Sequence, residues 1–302
     1  MLHHALLLLP DFLLIALGYL LCHRSTLDRP IWASVEQLVY WLLFPVLLFS
    51  SIVKSPLAPG ETLRLGLGGM LVVAIGFVLT ALLRHWPGID RHRLASGAQI
   101  AFRFNSYVAL ALAERLGGAQ SVAWIALLIA LCVPLCNMGA VWSLAQHGGQ
   151  STWREVARNP LVMATLAGLI GNLLGLHLPV AVDLTLTRIG AAALPLGLMA
   201  VGAGLQLGGL NGAPRLAAGL LGIRHLLLPA LGLLLGPLLG LPTGQALVLA
   251  AFAALPTASS CYVLAARMGG DGPYVAGLVT ASTLLGMVSV PVVLALFGLM
   301  RA

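Results

Sequence analysis

Ten stretches of this chain are apolar for the length of a membrane-crossing helix, and little lies between them. They run over residues 5–22, 33–53, 63–83, 94–116, 120–145, 160–178, 184–207, 215–239, 243–268 and 273–300. A bilayer core takes roughly 20 apolar residues per helix, and lipid leaves the backbone to satisfy its own hydrogen bonds. The expected fold is therefore an all-α membrane protein of ten transmembrane helices. With 60% hydrophobic and 8% charged residues among 302, the chain fits neither a soluble domain, where roughly 25% are charged, nor a disordered one. The first stretch lacks a basic leader and a small-residue cleavage site, so it reads as a retained helix. No length remains for a separate soluble domain.

The net charge of +7 is sixteen basic residues against nine acidic ones, and all the basic residues but Arg103 and Arg224, which lie within spans, are scattered over short loops. Without a basic run or stripe, nucleic acid is not an expected partner. If the N-terminus lies outside, the cytoplasmic loops carry Arg24, Arg29, Arg84, Arg91, Arg93, Arg154, Arg158, Arg215 and Arg267. The other side carries Lys54, Arg64, Arg115, Arg188 and Arg301. That bias favours both termini outside. Cys22, Cys132, Cys136 and Cys261 fall in or at the ends of apolar stretches and read as small hydrophobes. Cys132 and Cys136 are one helical turn apart, but no second pair at zinc-ligand spacing joins them, so no metal site is expected.

The chain carries a weak internal duplication. Shifted by 150 residues, Pro10 falls on Pro160, Gly18 on Gly168 and Pro45 on Pro195; shifted by 152, ERLGGAQ falls on ARMGGDG. Each half would hold five spans. Five is odd, so the second half enters the membrane the other way up: an inverted-topology repeat, the design of many carriers.

Matching places in the two halves hold polar clusters near mid-span. In the fourth segment they are Arg103, Asn105, Ser106 and Tyr107; in the ninth, Pro256, Thr257, Ser259, Ser260, Cys261 and Tyr262. Proline removes a backbone donor, and Asn and Ser offer competing hydrogen bonds. Both helices are expected to break there. A break at membrane depth is tolerated where protein or water satisfies it, and half-helix N-termini would suit an anion. Arg103 has two readings: a clamp on a substrate carboxylate, or an arginine paired with a carbonyl or snorkelling to the edge. Arg224 and His225 read as capping or snorkelling. Asp11 and Glu36 are weaker candidates for a coupling proton. No zinc-protease motif, nucleophile elbow or Walker loop is present, so no enzyme and no cofactor is expected.

DFLLIALGYLL, LVYWLLFPVLLFSSI, FRFNSYVALALAERLGG, NPLVMATLAGLIGNLLGLHLP, IGAAALPLGLMAVGAGLQL and LPTASSCYVLAARMGGD together resemble the auxin efflux carrier family of membrane transporters, in a compact bacterial form. The resemblance implies the fold of sodium/proton antiporters and bile-acid symporters. Residues 1–58 and 159–210 would form a scaffold, and 59–158 and 211–302 a moving transport domain. The fourth and ninth helices would cross at their breaks. Asn105, Ser106 and Pro256 with its followers would be the crossover site, with Ser50 and Ser51 contributing from the scaffold. A homodimer in the bacterial inner membrane and an organic acid substrate are implied as well. One departure is the Tyr-Val-Ala-Leu after Ser106, where family members often carry a small residue and Gly-x-Pro.

The expected function is thus a secondary or potential-driven carrier of small organic anions. In it Arg103, Asn105, Ser106, Tyr107, Pro256, Thr257, Ser259, Ser260 and Cys261 form the binding site. A receptor of the same fold that binds an organic acid without moving it is the alternative. The coupling ion is open; with no carboxylate near either break, a proton or none is favoured over sodium.

Overall fold

The computed structural model describes residues 2–54, 59–144, 160–205, 212–258 and 260–300, and every regular element among them is helical. In chain order these are α1 (Leu2–Arg24), α2 (Arg29–Val53), α3 (Pro59–Leu82), α4 (91–102), α5 (106–116) and α6 (119–144). There follow α7 (Pro160–Leu173), α8 (Val180–Ala203), α9 (Pro214–Leu238), α10 (Thr243–Ala254), α11 (Cys261–Arg267) and α12 (Gly272–Leu299). Gly117 and Gly118 divide α5 from α6; Gly118 has φ +54°, a conformation glycine adopts without strain.

Six helical runs among the described residues are long and apolar enough to cross a membrane: Arg29–Val53, Thr62–His85, Arg91–Leu144, Val180–Ala203, Pro214–Leu238 and Gly272–Leu299. The Arg91–Leu144 run spans the divisions between α4, α5 and α6. Phe12–Arg24, Met163–Leu173 and Thr243–Ala254 are apolar but shorter. Large side chains such as Leu13, Leu67, Val78, Leu174 and Leu234 are exposed. In water such a surface would drive aggregation; in lipid it costs nothing. The chain is an integral membrane protein.

The sixth apolar segment is longer than its helix. α7 stops at Leu173, and Gly175 at φ +65° turns the chain, with the Leu176 amide donating to Gly171 O. This is the glycine C-cap that ends many helices. Asn172 then donates to Ile52 O and Val53 O, tying α7 to the end of α2.

Prolines shape the long helices. In α2 the Phe44 amide reaches back five residues to Val39 O, immediately before Pro45. In α9 the Leu228 amide does the same to Ile223 O, before Pro229. Proline cannot donate and crowds the carbonyl one turn back. One widened turn absorbs that conflict and rotates the side chains within it. Tyr40, Arg224 and His225 sit in these two turns.

Helices α1, α2, α7 and α8 pack largely on one another, as do α3, α6, α9, α10 and α12. The α1–α8 contact is close: a Cβ at Gly18 would collide with the backbone of Met199, and one at Gly202 with Ile15 and Tyr19. Overpacking costs about 1–3 kcal/mol. Gly202→Ala is accordingly expected to lower the melting temperature of the detergent-purified protein. An unchanged melting temperature would show that the helices can part freely.

Candidate functional site

Both polar clusters interrupt their helices. α4 ends at Phe102, and Arg103 turns extended (φ −80°, ψ 148°) before α5 starts at Ser106. α10 ends at Ala254, and Leu255 is extended (φ −56°, ψ 145°), as the residue before a proline prefers. The two interruptions touch: the Asn105 amide donates to Pro256 O at 2.9 Å. Phe104 meets Phe252 edge to face, with centroids 4.6 Å apart.

Beside this junction lies a cavity of about 270 Å³. Its walls come from four elements: the widened turn of α2 (Tyr40), the first interruption (Arg103 to Tyr107), α6 (Val133, Cys136, Asn137) and the second interruption (Ala258, Ser260). Among the described residues of this lining Arg103 is the charged one, and no carboxylate joins it. Its Nη1 donates to Gln99 Oε1 at 2.8 Å and its Nη2 to Ser260 Oγ at 3.1 Å. Gln99 is itself buried and donates through Nε2 to Cys261 O and Ser96 O. The guanidinium is therefore held between both interruptions rather than snorkelling, with N–H groups to spare.

Asn105 caps α5. Its Oδ1 accepts from the Tyr107 and Val108 amides at 3.0 and 3.2 Å, an N-cap of the usual kind. The sequence led to an expectation of free amides at the break, and here the structure differs. Tyr107 and Val108 are served by the cap, the Asn105 amide by Pro256 O, and the Thr257 amide by Ser282 Oγ at 2.9 Å. What is left is the other end of the cap: Asn105 Nδ2 is buried and has no hydrogen-bond partner. A buried orphan donor costs about 1–3 kcal/mol, so an acceptor placed against it would recover that amount.

The anticipated site residues separate into two sets. Arg103, Asn105, Ser106, Tyr107 and Ser260 line the cavity. Pro256, Thr257 and Cys261 stand behind it: Pro256 accepts from Asn105, Thr257 Oγ1 lies 3.6 Å from Cys261 Sγ, and Cys261 O accepts from Gln99. Ser50 and Ser51 are buried in α2 away from the lining. Ser259 and the Asp11 side chain lie outside the described residues.

Three participants escaped the sequence reading. Tyr40 enters the cavity through the widened turn of α2. Asn137, a polar residue in the apolar α6, and Gln99, one turn before Arg103, carried the signals that could have found them. Arg224, expected to cap or snorkel, caps. It is 2% exposed and donates to Leu255 O at 2.6 Å and to Ala101 O and Phe252 O at 3.4 Å. It thereby joins the C-terminal ends of α4 and α10. The adjacent His225 bonds Ser282 and Ser289, both at 2.9 Å.

The α2 helix touches the interrupted helices on either side of the cavity. Phe44 stacks on Tyr107 with centroids 4.8 Å apart. Arg29 pairs with Glu36 at 2.9 Å and donates to the Tyr262 hydroxyl at 3.1 Å.

The model of one protein family, described as membrane transport protein, matches residues 144–294, half of the chain. No curated protein matches it significantly.

Proposed function

The chain belongs to the membrane transport protein family, that of the auxin efflux carriers, and from this we propose that it carries small organic anions across the bilayer by alternating access. The observation that carries the proposal is the unpartnered Nδ2 of Asn105 beside a cavity whose charged lining residue is Arg103. The positive end of α5 adds about half a charge at the same place. With no carboxylate among the described lining residues, a carboxylate guest is the natural complement. Arg103 attracts it, Asn105 Nδ2 donates to it, and Ser106 and Ser260 offer hydroxyls.

The transport cycle follows from how the helices group. We take the chain to cross the membrane ten times, as two inverted halves of five. The matched interruptions support this, as does the turn at Ala192 before Pro195 in α8, counterpart of the widened turn before Pro45 in α2. Helices α1, α2, α7 and α8 act as the scaffold and as the homodimer contact; α3–α6 and α9–α12 move against it. Both termini lie outside a bacterial inner membrane. The Arg29–Tyr262 bond and the Phe44–Tyr107 stack are scaffold-to-transport contacts, so they would be broken and remade in each cycle.

A thermal-unfolding screen of small carboxylic acids on purified protein finds the ligand, because a ligand of the native state raises its melting temperature. Counterflow in proteoliposomes then separates a carrier, which exchanges labelled for unlabelled acid, from a receptor, which does not. Arg103→Gln should weaken that acid about tenfold to a hundredfold, the value of a charge-assisted hydrogen bond of about 1.5–3 kcal/mol. Unweakened exchange by this variant would remove Arg103 from the site.

A further inference from the structure

A second, larger cavity of about 410 Å³ opens where the end of α3, the start of α4 and the end of α6 meet. It shares no lining residue with the first. Part of its lining is apolar, with Phe77, Leu94 and Trp142. Its rim is basic, with Arg84, His85 and Arg91.

Among the described residues neither Arg84 nor Arg91 pairs with a carboxylate, although both are exposed. The acid nearest in sequence, Asp90, is engaged elsewhere: its side chain accepts from the His92 and Arg93 amides. Arg84 Nε donates to His85 Nε2 at 3.0 Å, and neither terminal guanidinium nitrogen has a partner among the described residues.

The surroundings say where this cavity sits. Trp142 is 65% exposed and meets Phe77 edge to face with centroids 5.5 Å apart, and Val78 and Leu82 beside it are exposed too. An exposed apolar strip ending in tryptophan and arginine marks the boundary between acyl chains and headgroups. A soluble anion has no use for that strip. A lipid has use for both parts.

We propose that this cavity binds an anionic phospholipid. Arg84 and Arg91 hold the phosphate, and the glycerol and upper acyl chains lie against Phe77, Leu94 and Trp142. Zwitterionic lipids are disfavoured because their ammonium group would face two guanidinium groups. The site sits on α3, α4 and α6 together, so an occupant would brace the start of the first interrupted helix.

The test is thermal unfolding of the detergent-purified full chain with phosphatidylglycerol, phosphatidylcholine or sn-glycerol 3-phosphate. Phosphatidylglycerol should raise the melting temperature and the other two should not. The double variant R84Q/R91Q should melt like the parent without lipid. It should need roughly thirty-fold more phosphatidylglycerol for the same shift, as expected from about 1 kcal/mol per lost basic contact. Native mass spectrometry of the unaltered protein should retain phosphatidylglycerol over phosphatidylcholine, a readout independent of whether the variant folds. An equal shift with phosphatidylcholine, or an undiminished one in R84Q/R91Q, would overturn the site. A shift of equal size with sn-glycerol 3-phosphate would overturn the lipid in favour of a free phosphate ester.

Discussion

Asn105→Asp should give a folded protein that no longer exchanges its acid. The side chain has two jobs that this substitution separates. Its Oδ1 caps the Tyr107 and Val108 amides, and aspartate caps a helix as well as asparagine does. Its Nδ2 is the buried donor without a partner, and aspartate replaces that donor with a negative oxygen. A carboxylate guest then loses a hydrogen bond and meets a like charge. Exchange in counterflow should fall by about a hundredfold, while melting in the absence of ligand stays cooperative but drops, because the buried oxygen now carries charge. Asn105→Ala is the less informative variant, because losing the cap alone costs about 0.5–2 kcal/mol. An Asp variant that exchanges the acid at the parental rate would show that Nδ2 is a structural defect and no part of the site.

The second large effect is expected at Arg224, which never touches the cavity. The C-terminal ends of α4 and α10 each carry about half a negative charge. Together they balance one guanidinium, which reaches Ala101 O, Phe252 O and Leu255 O at once. This explains how a cation without a carboxylate partner among the described residues can be buried at 2% exposure. Arg224→Met would take the donor from Leu255 O and Ala101 O, while Phe252 O keeps the Leu255 amide. At about 1–3 kcal/mol for each orphan, the loss should reach about 3 kcal/mol, partly offset by removing a buried charge. Melting should fall sharply and exchange should vanish. Arg224→Lys keeps the charge but offers a compact ammonium in place of a planar fork, so it should recover part of the stability and little of the exchange. A Met variant as stable and as active as the parent would mean the two half-helix ends need no such clamp.

Much of this architecture could be read from residue order alone because membrane helices announce themselves. Apolar runs are long, and the breaks at Asn105 and Pro256 follow from local chemistry: a capping side chain and a missing amide. What stayed hidden is non-local. Arg224 lies 31 residues from Leu255 and 123 from Ala101, and no local rule connects them. The widened turns before Pro45 and Pro229 turn Tyr40 and Arg224 to new faces, which a uniform helical period cannot anticipate. The sequence pointed correctly to an interruption but not to how it is satisfied. Asn105 turns its oxygen inward to cap α5, so the Tyr107 and Val108 amides are occupied and the available donor is a side-chain nitrogen. At the sixth segment Gly175 and Asn172 shorten the helix, and the apolar residues beyond, such as Leu174 and Leu176, are exposed.

On the proposed function, the junction of the two interruptions holds an organic anion between Arg103 and Asn105. The direct measurement is an experimental structure of the protein in nanodiscs with the acid that most raises its melting temperature. The expected result is carboxylate density within hydrogen-bond distance of the Arg103 guanidinium and of Asn105 Nδ2, with Pro256 O still accepting from the Asn105 amide. An acid lodged elsewhere, with the cavity beside Tyr40 and Ser260 empty at saturating ligand, would contradict the account.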